Sequence, residues 1–311
     1  MALSGATKDR LKAALGRKFA ADEVDSSLSL NTGDVYFVSS ATGADVTERS
    51  GLSKDAPFAT LNYAITRATA SNGDTIVLMP GHAETTTAIA WNKAGIRVVG
   101  LGYGRNRPNL TATAAATDLI NVTAANGELR NVRLVGAASA CTALLDGSSA
   151  ADDFALYGVH LSLAATPLNA ITWSGQRLVI EDLTVRQTAN GNDYIVLFEA
   201  GVDGFIFKNW DVIASNGIDN GLVGSGAFSH VGYTISDMRL VGIDTLLLNF
   251  LSSSGTIDGL VSNVRFSYSA AQTSVEDGVA AATSKGVAYD NVYASDATGK
   301  TTGRIPLTSA N

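Results

Sequence analysis

Cysteine, charge and aromatic side chains are all scarce in this chain of 311 residues, and the scarcity excludes several classes of protein. Cys141 stands alone, so the chain has no internal disulfide and no zinc site built on several cysteines. Charged residues make up 16% of a chain that is 46% apolar, which excludes a disordered protein and the Glu-, Lys- and Arg-rich composition of a coiled coil. The net charge of −7 argues against a nucleic-acid partner.

Long apolar runs are also missing. No stretch approaches the roughly 18 apolar residues of a membrane-spanning helix, so no membrane partner is expected. Lysines and arginines are spread through residues 1–20 and interrupt the apolar core of about 7–15 residues that a secretory signal needs. We therefore expect a protein made in the cytoplasm, without secretion through a standard signal.

What is abundant is a repeat that begins near residue 95. Each copy reads apolar, any residue, Asn, Asp or Gly, apolar, any residue, apolar. Eight copies at a near-constant period are typical of a repeat architecture. Asn, Asp and Gly tolerate the left-handed backbone region, so each is predicted to form a sharp bend between two short strands. The bend positions lie 24 to 31 residues apart, at Gly100, Asn131, Gly158, Asp182, Asn209, Asp237, Asn263 and Asn291.

Each repeat also contains another short apolar run, such as Ala170–Trp173 or Tyr194–Phe198. A unit of this length is too short for a strand–helix–strand crossover and shows no helical period. Three short strands per repeat fit a coil of a solenoid whose neighbouring coils stack about 4.8 Å apart. The predicted fold is all-β: a single-stranded right-handed parallel β-helix.

The chain divides into three parts. Residues 1–33 form an arm predicted to be helical, because Leu11, Leu15 and Phe19 fall at four-residue steps, and we expect this apolar stripe to dock on a partner. Residues 34–94 form the entry module, in which an amphipathic helix over 58–70 covers the open end of the solenoid. Residues 95–311 form the coils and the C-terminal tail.

Two apolar runs indicate a covered outer wall. The segments YIVLF (194–198) and LLLNFL (246–251) are apolar on both faces, whereas a solenoid wall that meets water alternates. Either a lateral loop or a second subunit covers such a wall, and we favour a subunit. The predicted interface residues are Val196, Phe198, Leu247, Phe250 and Leu251.

The entry module carries the motifs GDVYFVSSATGAD, PFATLNYAI, SNGDTIVLMPGHAET and IRVVGLGYGRNRP. With these motifs the chain resembles the pectin-lyase-like right-handed β-helix superfamily and, more closely, a family of tailed-bacteriophage virion proteins. The resemblance covers about residues 33–110 by motif and 111–311 by repeat pattern. It implies a virion component that assembles as a homotrimer and attaches through its arm to the major capsid protein or another virion protein.

Candidate catalytic residues are few. Asp182 and Asp237 stand two coils apart, but both occupy bend positions, which predicts a structural role. Glu181 beside Asp211 is the nearest approach to a lyase site. His82-Ala-Glu84 matches part of a zinc-deaminase motif whose cysteine pair this chain lacks. No catalytic, cofactor-binding or metal-ligating residue is therefore predicted.

These observations favour a non-enzymatic virion protein on the outer surface of the phage head, rather than on the tail: a capsid decoration, cement or head-fibre protein. A tailspike with glycan hydrolase or lyase activity remains the alternative, and a plain receptor-binding fibre is a third. A carboxylate pair in an exposed groove of the rod would favour the enzyme.

Overall fold

Parallel β-strands dominate the computed structural model, which describes residues 33–113, 117–137, 141–164, 169–188, 194–214, 221–225, 228–243, 248–250, 257–268, 287–295 and 302–304. Two sheets contain these strands, one of seven strands and one of eighteen. The chain coils as a right-handed parallel β-helix, as the repeat predicts. The arm with Leu11, Leu15 and Phe19 lies outside the described residues.

One wall of the solenoid is the seven-stranded sheet. Each of its strands pairs in parallel with its counterpart in the next coil, so equivalent residues stack on one another. Numbered in chain order, the strands are β4 (Ile89–Trp91), β7 (Ile120–Val122), β10 (Leu145–Gly147), β13 (Asn169–Trp173), β16 (Tyr194–Phe198), β19 (Gly221–Ser225) and β21 (Leu248–Phe250).

The larger sheet folds into two further walls, one on each side of the bend. The wall before the bend, called the pre-bend wall, pairs in parallel throughout. It contains β1 (Val35–Val38), β2 (Thr75–Leu78), β5 (Arg97–Gly100), β8 (Glu128–Arg130), β11 (Ala155–Tyr157), β14 (Val179–Glu181), β17 (Ile206–Lys208), the first halves of β20 (His230–Ile243) and β22 (Ile257–Tyr268), and β23 (Val287–Asp290).

The post-bend wall follows each bend and is also parallel, except that its final strand is antiparallel. It contains β3 (Ala83–Thr86), β6 (Asn109–Ala112), β9 (Arg133–Gly136), β12 (His160–Leu163), β15 (Thr184–Gln187), β18 (Asp211–Ala214), the second halves of β20 and β22, β24 (Tyr293–Ser295) and β25 (Thr302–Arg304).

Seven of the eight predicted bends have the expected left-handed backbone. Their φ angles lie between 53° and 61°, at Asn131, Gly158, Asp182, Asn209, Asp237, Asn263 and Asn291. Several of these side chains hydrogen-bond to the next along the rod, as in the 2.6 Å bond from Asn209 Nδ2 to Asp182 Oδ1. Gly100 is the exception, because it ends strand β5 and the left-handed residue there is Gly102, with φ 107°.

Rows of buried side chains fill the rod. Ile120, Leu145 and Ile171 stack in register inside the seven-stranded sheet, and the next inward row includes Val122, Gly147 and Trp173. Glycine is required at Gly147, since a Cβ atom there would lie 2.2 Å from the Trp173 ring. The rows therefore alternate large and small residues so that neighbouring coils can close together.

A helix closes the N-terminal end, as predicted, but it is shorter than 58–70. It is α1 (Leu61–Arg67), capped by the Thr60 hydroxyl, and its buried residues Leu61, Ala64 and Ile65 join the core. The helix ends because the backbone becomes extended at Ala68, where the Thr69 N–H donates to the Asp74 carboxylate.

Two predicted interface residues lie inside the rod. Val196 and Phe198 are 0% and 1% exposed and belong to the core, so the prediction that they contact another subunit is wrong. Ile195 is buried in the same core, so the side chains of strand β16 do not alternate strictly between inward and outward. Phe250 is described only as part of strand β21, and Leu247 and Leu251 lie outside the described residues.

Candidate functional site

Since the interior is filled, functional side chains must lie on the outer walls. On the seven-stranded sheet, the outward row between the two inward rows contains Asn121, Asp146 and Thr172, which stack in register. The Thr172 hydroxyl donates to Asp146 Oδ1 at 2.5 Å. This row brings a carboxylate, a hydroxyl and an amide together over three successive coils.

Asp118, near this wall, interacts electrostatically with two other carboxylates, those of Asp146 and Glu199. Burial raises the pKa of Asp118, and the negative charges of Asp146 and Glu199 raise it further, against a hydrogen bond from the backbone of Ala143. A carboxyl group with a raised pKa beside an ionised one is the arrangement a general acid needs. Asp118, Asp146 and Glu199 are named the acidic cluster below.

The carboxylates that the sequence offered as a catalytic pair lie elsewhere. Asp182 and Asp237 both occupy left-handed bend positions, with φ 57° and 56°. Each accepts a hydrogen bond from the asparagine of the next coil, Asn209 for Asp182 and Asn263 for Asp237. Their predicted structural role is confirmed.

Asp211, the other carboxylate considered, is held between two arginines on the post-bend wall. Its Oδ2 lies 2.6 Å from Arg186 Nη2 and its Oδ1 lies 2.9 Å from Arg239 Nη1. Burial acts to raise the pKa of Asp211, but the hydrogen bonds and charges of both arginines outweigh burial and lower it. The carboxylate is therefore ionised and fully engaged, which does not suit a general base.

His82 and Glu84 form a buried hydrogen-bonded pair in the entry module. His82 Nε2 lies 3.2 Å from Glu84 Oε2, and His82 Nδ1 accepts from the Ser40 N–H at 3.0 Å. Glu84 Oε2 also accepts from the Leu61 N–H at the start of helix α1, at 2.8 Å. The pair ties strand β3 to the capping helix and to the loop after β1, which is a structural role.

The remaining nucleophile candidates are enclosed. His230 Nε2 lies 2.9 Å from Ser225 Oγ, but both residues are buried, and the imidazole packs on Phe198 with ring centroids 5.1 Å apart. Cys141 is buried, and burial raises the pKa of its thiol to about 11. Neither group is presented to a substrate.

His160 lies on the post-bend wall among arginines. It is the register partner of Arg133 in the preceding coil, and Arg107 Nη1 lies 3.4 Å from the backbone oxygen of Gly158, two residues before it. Partial burial, together with the charges of Arg107, Arg133 and Arg186, lowers the pKa of His160 to about 4. The imidazole is therefore neutral at pH 7.

The pre-bend wall presents the opposite character. Glu128 pairs with Arg97 at 3.3 Å and with Arg130 at 2.9 Å, so charges of both signs alternate there. Farther along the rod, the row that contains Arg97 and Glu128 becomes mainly apolar, and its Ile206 and Leu260 are each 39% exposed. The register places Ala155, Val179, Ile206, Thr234, Leu260 and Ala288 in this row, named the apolar row below.

Within the described ranges, no group of His, Cys, Asp and Glu side chains could hold a metal ion. No helix in the same ranges is long and apolar enough to cross a membrane.

Comparisons with known proteins give the fold. No family model and no curated protein matches the chain. Among solved structures, it is similar to a rhamnogalacturonan lyase, with 13% identity over 83% of this chain and 73% of that chain, at a TM-score of 0.53. It is also similar to a pectin methylesterase from Aspergillus niger (12% identity, 90% of this chain and 93% of that chain, TM-score 0.49) and a lacto-N-biosidase from Eubacterium ramulus (8%, 89% and 66%, 0.46).

The likeness to the rhamnogalacturonan lyase supports the parallel β-helix fold, and at this low identity it concerns the fold alone.

The repeat pattern predicts the bends but not the acidic cluster or the cationic surroundings of His160. When the repeats are aligned on the bend, Arg133 and His160 share one outward position. The alignment does not show that Arg107 and Arg186 lie close to them. A second alignment on the strands of the seven-stranded sheet would place Asp146 in an outward row beside Asn121 and Thr172.

Proposed function

We propose that the chain is a non-enzymatic structural protein of a tailed-bacteriophage virion, a decoration, cement or head-fibre protein that acts as a homotrimer on the outer surface of the head. The proposal rests on the resemblance of the entry module and on one structural observation. Three of the carboxylates suggested for catalysis are engaged in the scaffold: Asp182 and Asp237 in hydrogen bonds between bends, and Asp211 in ion pairs with two arginines.

The trimer contact is proposed for the apolar row. Val196 and Phe198 are core residues, so the contact must use other side chains. Ile206 and Leu260 are exposed and stack along the rod on the pre-bend wall, with Thr234 between them. A row parallel to the axis of a rod can meet the same row on two neighbours around a threefold axis, which would bury apolar side chains away from water.

The assembly state tests this contact. Light scattering after gel filtration should give a mass of three chains for the wild type. The double variant Ile206→Asp, Leu260→Asp should run as a monomer with unchanged circular dichroism, because it places charges in the interface. Thr85→Asp, on the exposed face of strand β3, adds a charge elsewhere and should remain trimeric. A monomeric wild type, or a double variant that stays trimeric, would refute the contact.

The location on the particle needs a separate test. Cryo-electron microscopy of the assembled virion should show the rod on the head. Deletion of residues 2–30 should release it, since the arm is proposed to bind the major capsid protein or another virion protein. A rod at the tail tip, or particles that keep the truncated protein, would contradict this part of the proposal.

The acidic cluster favours one alternative, a glycan-degrading tailspike. Asp118 has the raised pKa of a general acid, and its partner Asp146 lies on the outward row of the same wall. If the protein is an enzyme, Asp118→Asn and Asp146→Asn should each lower the cleavage of a polysaccharide by at least about a hundredfold. Asp182→Asn, at a bend, should not. Absence of cleavage by the wild type across acidic and neutral glycans would leave the structural role.

A further inference from the structure

The post-bend wall concentrates positive charge in a protein whose formal net charge is −7. Its outer rows carry Arg133, Arg186, Arg239 and Arg265, with Asp211 as the acid between Arg186 and Arg239. The pre-bend wall, on the other side of each bend, pairs its charges instead. The same backbone register therefore supports two different charge patterns.

The charge is least balanced around His160. Among the described residues, no carboxylate lies within ion-pairing distance of Arg107 or Arg133, whereas Arg186 pairs with Asp211, a carboxylate that it shares with Arg239. Arg107 and Arg133 are close enough that the charge of Arg133 helps to lower the pKa of Arg107, after the larger effect of burial. Arg133 is the register partner of His160, and Arg107 donates to the backbone oxygen of Gly158, so both arginines lie near the start of strand β12.

One donor at this position has no acceptor. The Nε atom of Arg107 is buried and has no hydrogen-bond partner among the described residues. A buried donor that is part of a cation is costly to leave unpaired, because it has lost its water. Since the Arg107 side chain as a whole is only partly buried, an anion bound at its exposed part would offset this cost by compensating the charge of the desolvated cation.

We infer that Arg107, Arg133 and His160 form a binding site for an oxyanion, a carboxylate or phosphate group carried by a ligand. The planar fork of a guanidinium matches two oxygens of such a group, and two forks can hold it from two sides. The imidazole of His160 has one N–H donor in its neutral form, so it can donate a further hydrogen bond without becoming protonated. Arg186 adds positive charge from the next coil.

The loop before the site indicates what kind of molecule carries the anionic group. Tyr103 is 58% exposed and belongs to the same loop as Arg107. An exposed ring beside arginines suits an anionic group attached to a ring or sugar rather than an isolated ion. The inference does not depend on the virion role, since the site lies on a different wall from the apolar row.

Calorimetry with defined probes tests the site. Wild-type protein is titrated with sodium phosphate, with sodium galacturonate, which carries one carboxylate on a sugar, and with galactose as the uncharged match. Arg133→Gln should weaken oxyanion binding by at least about tenfold. Arg177→Gln removes an arginine that pairs with Asp153 on another turn and should bind as the wild type does.

Arg107→Lys provides a second variant that keeps the charge and loses the fork, with an expected loss of about threefold to tenfold. Equal melting temperatures for the variants and the wild type establish that they are folded. Binding of galacturonate alone would assign the site to carboxylated sugars, binding of phosphate alone to phosphate groups, and either result supports the inference. Absence of saturable binding by both anions, or binding that Arg133→Gln and Arg107→Lys leave unchanged, would overturn it.

Discussion

The pre-bend and post-bend walls belong to one sheet and lie on either side of the bends, yet their outer faces are unlike. On the pre-bend wall Glu128 pairs with Arg97 and Arg130, and the row that contains Glu128 becomes mainly apolar farther along the rod. At the post-bend wall the charges of Arg107 and Arg133 act on His160, and no carboxylate among the described residues pairs with either arginine. Parallel register stacks equivalent positions in both walls, so the backbone does not dictate the charge pattern. Unpaired positive charge at the post-bend wall costs stability, so its presence there indicates a functional role.

The bend that separates the walls should give the largest effect. Asn209 has φ 55° and donates to Asp182 at 2.6 Å. Asn209→Val places a β-branched residue in the left-handed region and removes the hydrogen bond, with an expected loss of about 2–3 kcal/mol in the free energy of unfolding. Urea denaturation measures this loss.

Asn209→Gly is the matched control for that variant. It keeps the left-handed backbone and loses only the side-chain hydrogen bond, so the expected loss is about 1 kcal/mol. Equal losses for the valine and glycine variants would mean that the backbone conformation of the bend contributes nothing.

Asp211 is the one acid that the described part of the post-bend wall places between arginines. Asp211→Asn leaves Arg186 and Arg239 facing each other and should lower the free energy of unfolding at pH 7 by about 1 kcal/mol, a modest value because the groups are partly exposed. The folded pKa of Asp211 is lowered, so its contribution is present above the unfolded pKa and lost as the pH falls through the folded pKa. Unfolding curves at pH 7 and pH 3 should therefore differ less for the variant than for the wild type.

The same variant also tests whether the positive charge of the post-bend wall attracts anions. Removing the acid makes the post-bend wall more positive, so Asp211→Asn should tighten the binding of the oxyanion that calorimetry identifies. Asp153→Asn removes an exposed acid paired with Arg177, away from the site, and should leave the affinity unchanged. Weaker binding in Asp211→Asn would argue against a site that attracts anions by its charge.

His160 should make the folded protein sensitive to mild acid. Its pKa is about 4 in the folded state, well below the ordinary histidine value of 6.5, so the unfolded chain binds more protons between these values. The free energy of unfolding should therefore fall as the pH drops from about 6.5 to 4, by about 1 kcal/mol once solvent exposure is allowed for. His160→Gln should remove this part of the pH dependence in thermal unfolding, and an unchanged pH dependence would contradict the cationic environment.

The smallest effect is expected on the pre-bend wall. Arg97→Gln removes one of the two partners of Glu128, and Arg130 remains. Partly exposed ion pairs contribute little, so the free energy of unfolding should change by less than about 0.5 kcal/mol. A loss above about 1 kcal/mol in chemical denaturation would mean that both walls depend on their charges to a similar degree.

The bends and the entry module could be predicted because their chemistry is local. A left-handed residue between two short strands selects Asn, Asp or Gly whatever surrounds it, and the spacing of Asn131, Asp182 and Asn209 follows the coil. The capping helix could be located from Leu61, Ala64 and Ile65, although its end could not. Asp74 captures the Thr69 N–H, and only the folded loop brings these two residues together.

The faces of the strands and the candidate sites were harder to predict. In strand β16 the inward and outward alternation fails, since Ile195, Val196 and Phe198 are all buried, and this two-faced strand does not mark an interface. The oxyanion site gathers Arg107, Arg133 and Arg186 around His160 from successive coils. Sequence spacing gives the register, but not which long side chains turn toward one another.

The titration of His160 tests the central claim most directly, namely that the post-bend wall holds an unbalanced cationic site. Two-dimensional NMR of the imidazole carbons follows each histidine across pH, with His160→Gln to identify its signal. We expect a wild-type pKa near 4 for His160. This pKa should rise toward 6.5 in Arg133→Gln, and it should also rise in the wild type when the oxyanion is bound. A wild-type pKa near 6.5 that neither change moves would contradict this claim.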